Sequence, residues 1–203
     1  MAKHRRIVLT IGDSNGAAAD GWPVWLRGMV RADVFMNNSE SGRTLGFDNP
    51  DAGKNGLANV GKYMDAAILE AGEGLDDVVV MLGTNDCKAC FAERQGEIEA
   101  NLRKMVELIR KHDNGGKWSP RVTIVAPPPY GLDEKMLEKY RGGAARAKAL
   151  SRVYRQVAQE MHTRFVDGHA VLEPVWDEVS VDGVHMGQGG QRRLAEAAAQ
   201  VLG

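Results

Sequence analysis

A serine, an aspartate and a histidine stand out in this sequence because together they make an activated nucleophile. Ser14 lies in Gly12-Asp13-Ser14-Asn15-Gly16, directly after an apolar run at 7–11. A strand is expected to end there and a helix to begin. A helix N-terminus offers free backbone N–H groups and partial positive charge, which favour negative charge developing nearby. Taken alone, a serine in such a place is more often a cap or turn residue. The hydroxyl becomes a nucleophile when a base removes its proton and a carboxylate orients that base. His185 follows Asp182 across Gly183-Val184, so one loop can set the carboxylate against one imidazole nitrogen and leave the other facing outward. His4, His112, His162 and His169 have no comparable setting.

Acyl transfer also needs fixed donors where charge develops on the carbonyl oxygen. Gly42 can bring a backbone N–H close with no Cβ in the way, and Asn85 can offer its side-chain amide. Each residue by itself reads equally well as a turn glycine or a loop-capping asparagine.

The elements that must position these residues are legible as an alternation. Short, nearly continuous apolar runs at 7–11, 78–82 and 122–126, a weaker one at 34–36 and a fifth at 164–166 suit strands buried on both faces. Between them Leu57, Val60, Met64 and Ile68 share a helical face, as do Ile98, Leu102, Met105 and Ile109. Leu150, Tyr154, Val157 and Met161 form a third such face, and Leu194, Ala198 and Val201 a fourth, each at helical spacing. Strand and helix in turn imply an α/β fold with helices on both faces of a parallel sheet of about five strands. No linker or repeat interrupts residues 1–203, which read as one domain. In open parallel sheets ligands bind at the carboxyl ends of the strands. Ser14, Gly42, Asn85 and Pro128 all follow predicted strands, so polar and titratable groups collect at one edge.

Gly12-Asp13-Ser14-Asn15, Ser41-Gly42-Arg43-Thr44, Gly83-Thr84-Asn85-Asp86 and Asp182-Gly183-Val184-His185 resemble the four blocks of the SGNH (GDSL-type) hydrolases, in the family's order. The resemblance implies a flavodoxin-like three-layer α/β/α sandwich and needs no metal or organic cofactor. It assigns Ser14 as nucleophile, His185 as base and Asp182 as orienting acid. Ser14 N–H, Gly42 N–H and the Asn85 amide become the oxyanion hole. Asn15 departs from the name-giving leucine, at a position given no chemical weight. The 82–89 stretch and Pro127-Pro128-Pro129 are similar to the arylesterase and acyltransferase-like branch. Gly12-x-Ser14-x-Gly16 also fits the nucleophile elbow of α/β-hydrolases. Only one strand can precede Ser14, however, and an acid so close in sequence to its histidine is unusual there, so that reading is set aside.

The implied activity is hydrolysis of small short-chain acyl or aryl esters, carbohydrate acetyl esters included, through an acyl-serine. Acyl transfer to an alcohol uses the same residues. A non-catalytic carbohydrate- or partner-binding domain is the alternative from another class, and the complete polar set argues against it. Asp13, Arg43, Phe47, Pro128 and Tyr130 are candidate substrate contacts, with Trp176 beside them on the rim and Trp22 and Trp25 near an acceptor side. The stretches 45–56 and 167–181 are too short and polar to form a lid over a long acyl chain. Cys87 and Cys90 form a C-x-x-C, read as two ordinary thiols because no second ligand cluster completes a zinc site.

Composition bounds the partners. Among 203 residues, 43% are hydrophobic and 26% charged, with a net charge of −1, which is ordinary for a globular protein and gives no basic field for nucleic acid. No apolar run approaches the ~20 residues of a membrane span. The basic start at 1–6 is followed by too short an apolar stretch for a signal peptide, so a cytoplasmic location is expected; a chain whose export signal had been removed would read the same. The expected partner is a small ester, and the sequence does not fix an oligomeric state.

Overall fold

The computed structural model describes residues 4–49, 54–132 and 137–203. Part of the basic start and part of the 45–56 stretch therefore lie outside the described residues. Five strands, β1 (Ile7–Gly12), β2 (Val34–Ser39), β3 (Asp77–Met81), β4 (Arg121–Val125) and β5 (Arg164–Val166), form one sheet in the order β2-β1-β3-β4-β5. Every pairing is parallel. The principal helices are α1 (Ser14–Ala17), α2 (Trp22–Met29), α3 (Gly56–Ala71), α4 (Ile98–Lys111) and α5 (Gly143–Glu160), then α6 (Gly168–Leu172), α7 (Trp176–Val179) and α8 (Gln188–Leu202).

Successive strand residues point to opposite faces, and both faces are buried. Ile7, Leu9, Ile11, Val78, Val80 and Ile124 enter a core closed by α3, α4 and α5. Val8, Val79, Met81, Val125 and Val166 enter a second core, closed chiefly by α2 and α8. The expected three layers and five parallel strands are present. Helix α3 ends where the sequence supplies its caps: the Asn55 side chain accepts from Ala58 N–H at 3.1 Å, and Gly72 terminates it at φ 71°. The 167–181 stretch, which showed no apolar periodicity, is mostly helical turns. Its first turn is capped by Asp167, which accepts from Ala170 N–H at 3.0 Å.

Strand β1 runs on to β2 in one direction, and the chain then returns to place β3 on its other side. This reversal between β1 and β3 is the switch point at which loops diverge and leave a crevice. Ser14 follows β1 and Asn85 follows β3, so the two stand on either side of that crevice.

The opposite edge of the sheet is held by one carboxylate. Asp77, the first residue of β3, is fully buried. It accepts from Arg6 Nε at 2.9 Å, Arg121 Nη2 at 2.7 Å and Arg164 Nη1 at 3.1 Å. These arginines stand at the starts of β1, β4 and β5, so four strand ends meet on two oxygens. Arg6 also donates to the carbonyls of Leu202 and Gly203 at the end of α8. Removing one partner of a buried charge cluster is costly because the others lose their compensation. Asp77→Ala is therefore expected to lower stability by about 3 kcal/mol, read as a shift of the urea midpoint. Turnover per folded molecule should not change, because the clamp lies at the far edge of the sheet from Ser14.

Candidate active site

Ser14 opens α1 at the end of β1. Asp13 caps this helix, its Oδ1 accepting from Asn15 N–H at 3.0 Å. Burial raises the Asp13 carboxyl above its ordinary range, against the opposing pull of Thr84, the Asn15 N–H, His185 and Arg43. Asp13 is thus a buried cap that holds the serine's turn, with no surface to offer a substrate.

His185 Nε2 lies 2.9 Å from Ser14 Oγ, so the hydroxyl can donate to it, and His185 Nδ1 lies 2.7 Å from Asp182 Oδ2. Asp182 Oδ1 accepts from the backbone N–H groups of Val184 at 2.9 Å and His185 at 2.7 Å. Burial by itself would raise the Asp182 carboxyl, but the His185 side chain and these two N–H groups outweigh it and hold it below its usual range. Asp182 is therefore ionised around neutrality, the state that orients an imidazole with its proton on Nδ1. The loop closes on itself. Val181 N–H donates to His185 O at 2.9 Å, and Ser180 Oγ accepts from Gly183 N–H at 2.8 Å.

Three candidate donors stand on the loops that follow β1, β2 and β3: Ser14, Gly42 and Asn85. Neither Ser14 N–H nor Gly42 N–H has an acceptor among the described residues. Gly42 has φ 83°, a left-handed conformation that favours glycine. The Asn85 amide donates one hydrogen to Arg43 O at 3.0 Å and keeps a second. Asp86 joins the two loops, accepting from Leu45 N–H at 2.7 Å and Gly46 N–H at 3.2 Å. The β3 loop is supported from below by Tyr154, whose hydroxyl donates to Leu82 O at 2.7 Å, and by Tyr130, whose hydroxyl donates to Thr84 O. At Gly83, with φ 117°, an added Cβ would meet the Tyr154 hydroxyl at 2.5 Å; glycine is needed there twice over.

Several expected contacts lie elsewhere. Arg43 is 3% exposed; its guanidinium donates to Gly12 O, Asn38 O and Glu40 and covers the Tyr63 ring at 4.2 Å. It braces the ends of β1 and β2 and does not present its charge to the site. Phe47 is 1% exposed and packs on Phe91 with ring centroids 4.9 Å apart. An apolar ring beside this core is buried by the hydrophobic effect, so Phe47 is core and not rim. Pro128 and Tyr130 are buried as well, and Tyr130 serves the β3 loop. Trp22 is fully buried, and Trp25 packs against the same second core. Trp176, though largely buried, lines a cavity of about 640 Å³. Asp182 and Gly183 also belong to its wall, so this cavity opens beside the carboxylate that His185 meets. Cys87 is buried and Cys90 exposed, both free thiols, and burial pushes the Cys87 thiol well up. Among the described residues no group of three or more His, Cys, Asp or Glu is placed to hold a metal ion, and no helix is long and apolar enough to cross a membrane.

Residues 9–193 match the GDSL-like Lipase/Acylhydrolase family. The chain belongs to that family. Similar solved structures include a carbohydrate acetylesterase from Sinorhizobium meliloti, 26% identical, covering 98% of each chain with a TM-score of 0.83. An aryl esterase from M. smegmatis is 26% identical over 97% of this chain and 98% of its own, with a TM-score of 0.80. A curated relative, an acetylxylan esterase from Xylanibacter ruminicola, is 22% identical over 90% of this chain. The chain spans 38% of that relative's length.

Within this GDSL-like chain the buried Asp86 has a consequence for stability. Burial, aided by the neighbouring Asp13 and opposed by the Leu45 and Gly46 N–H groups, pushes its carboxyl up to about 6. A folded-state value above the unfolded one makes a contribution that is complete at low pH and is lost as pH rises through about 6. Asp86→Asn removes that titration, so the stability gap between wild type and variant should shrink from pH 4 to 6 and stay constant above. Urea unfolding at successive pH values measures it; a gap that widened with pH would refute the buried-acid account.

Proposed function

We propose that the chain is a serine esterase that removes short acyl groups, acetyl above all, from a larger alcohol. Residues 1–203 are read as one catalytic domain, since a single sheet carries every part of the site, and its location is taken to be the cytoplasm. The observation that carries the reading is the continuous Asp182–His185–Ser14 hydrogen-bond chain, 2.7 and 2.9 Å long, together with the Ser14 and Gly42 N–H groups that have no acceptor among the described residues.

Ser14 Oγ attacks the ester carbonyl carbon while its proton passes to His185 Nε2, and Asp182 stabilises the imidazolium. The carbonyl oxygen takes the negative charge and is met by Ser14 N–H, Gly42 N–H and the second hydrogen of the Asn85 amide. The intermediate collapses as the carbon–oxygen bond to the alcohol breaks, and His185 returns its proton to the departing oxygen. Water then adds to the acyl-serine, giving its proton to His185; the acyl carbon–Ser14 Oγ bond breaks, His185 returns that proton to Oγ, and the acid leaves. An alcohol in place of water would turn hydrolysis into acyl transfer. The relatives named above are esterases, which favours water.

The surroundings of Ser14 support a small acyl group. Asn15, Arg43 and Asn85 are buried and hydrogen-bonded around it, which closes the floor to a threading chain. Room exists on the other side of the triad, in the cavity beside Asp182, where Tyr140 and Trp176 supply ring surface and Asp177 and Ser180 supply polar groups. Flat ring surface with hydrogen-bonding groups at its edge suits a sugar or an aryl alcohol.

Ser14→Ala is expected to remove hydrolysis while the fold and melting behaviour stay near wild type, with the residual rate over water that oxyanion donors and binding provide. A serine-directed phosphonate should label wild type at Ser14 and leave the variant unlabelled; labelling elsewhere with activity intact would overturn the assignment. The acyl preference is tested by esters of two to twelve acyl carbons. Each methylene buried in a real tunnel would contribute about 0.8 kcal/mol, so kcat/KM climbing beyond six carbons would show a deep pocket, whereas acetate to butyrate should lead. Acetylated sugars run beside aryl acetates then sort the alcohol side.

A further inference from the structure

The position after the nucleophile, where the family pattern has leucine, holds Asn15, and its side chain is 1% exposed. Its amide reaches to the far end of the chain. Asn15 Nδ2 donates to Val184 O at 3.3 Å, and Asn15 Oδ1 accepts from Met186 N–H at 2.8 Å. These are the backbone groups on either side of His185. One amide thus pairs with both flanks of the base, as a neighbouring strand would. We propose that Asn15 is a positioning residue that sets the distance from His185 Nε2 to Ser14 Oγ. This rests on the reading of Ser14 and His185 as nucleophile and base.

The remaining contacts of the loop divide into two kinds. The bonds from Asp182 Oδ1 to Val184 N–H and His185 N–H, from Ser180 Oγ to Gly183 N–H and from Val181 N–H to His185 O all begin and end within the loop. They fix its shape but not its place. Its place is set by contacts that leave it. Gly131 N–H donates to Gly183 O at 2.7 Å, the Gln191 side chain donates to Met186 O at 3.3 Å, Val184 and Met186 are buried in the first and second cores, and Asn15 grips the backbone on both sides of His185. Of these, Asn15 alone is covalently next to Ser14. It sits in the same capped turn, with its own N–H held by Asp13. A shift of the loop relative to Asn15 is therefore a shift of the base relative to the nucleophile.

The role separates from a merely structural one by what should change and what should not. Asn15→Leu keeps a branched side chain of similar shape and deletes both bonds; Asn15→Ala does the same with less bulk, and carries the test if the leucine variant does not fold. Misplacement of a reacting group by about 1 Å costs up to ~100-fold, so kcat should fall about 10- to 100-fold with KM within about twofold. Phosphonate labelling of Ser14 should slow by the same factor. The low-field proton resonance of the His185–Asp182 bond should persist, because that bond lies wholly inside the loop. Wild-type kcat in a folded variant would overturn the proposal. So would loss of the low-field resonance together with activity, since Asn15 would then be holding the loop's shape. Ser14→Ala run in parallel tells the two readings apart: if it stays active, the serine mechanism itself fails, and if it is inactive beside an unimpaired Asn15→Leu, only the bracket fails.

Discussion

The site depends on one hydrogen bond between residues 171 apart in the chain, from Ser14 Oγ to His185 Nε2. A contact of that length is useful only if two distant segments are located to a fraction of an ångström. The fold meets this demand by packing α8, which follows His185, against α2, which follows Ser14. Gln191 in α8 is buried between them; its side chain accepts from Trp22 N–H at 2.8 Å and donates to Met186 O at 3.3 Å. Val184 and Met186 enter the two cores on opposite sides of His185. His185 is thus suspended between the same two packed layers that hold the strand leading to Ser14.

The polar load of the protein is divided between the two edges of the sheet. At the strand starts, Asp77 gathers three arginines, so its buried charge is fully hydrogen-bonded and more than matched by theirs. At the strand ends, Asp13 and Asp86 are buried carboxyls whose protonation is favoured by their surroundings. Asp13 caps its own turn through Asn15 N–H, and Asp86 ties two loops together through the N–H groups of Leu45 and Gly46. Asp182 has the opposite balance, with its charge favoured by His185 and the loop N–H groups. Its contribution to stability is present above the unfolded carboxyl range and is lost as pH falls through its lower folded value. The functional edge is therefore pulled in both directions by pH, and the clamped edge supplies its mechanical support.

How much of this was legible in the sequence follows from what sets each feature. The strands at β1, β3 and β4 are continuous apolar runs because both faces are covered, and that signal survives without coordinates. The same holds for the periodic faces of α3, α4, α5 and α8. Ser14, Gly42, Asn85, Asp182 and His185 could be singled out as candidates because their types and local spacing match a reaction's needs and a family's order. The turns of α6 and α7 were not, since 167–181 is stabilised by an Asp167 cap and by packing of Leu172 and Trp176, not by a repeating apolar stripe.

The sequence by itself determined the layer architecture and which groups collect at the strand ends, because periodicity and chain order are local properties. Only the tertiary structure decided which polar and aromatic groups reach solvent. Arg43 and Phe47 carry the residue types of a binding rim, yet one braces two strands and the other fills the core. Burial depends on what packs alongside, which one residue's neighbours in sequence do not encode. The grip of Asn15 on the His185 loop was hidden for the same reason: its partners lie 169 and 171 residues away, and an amide's choice of partners is fixed by geometry that exists only after folding.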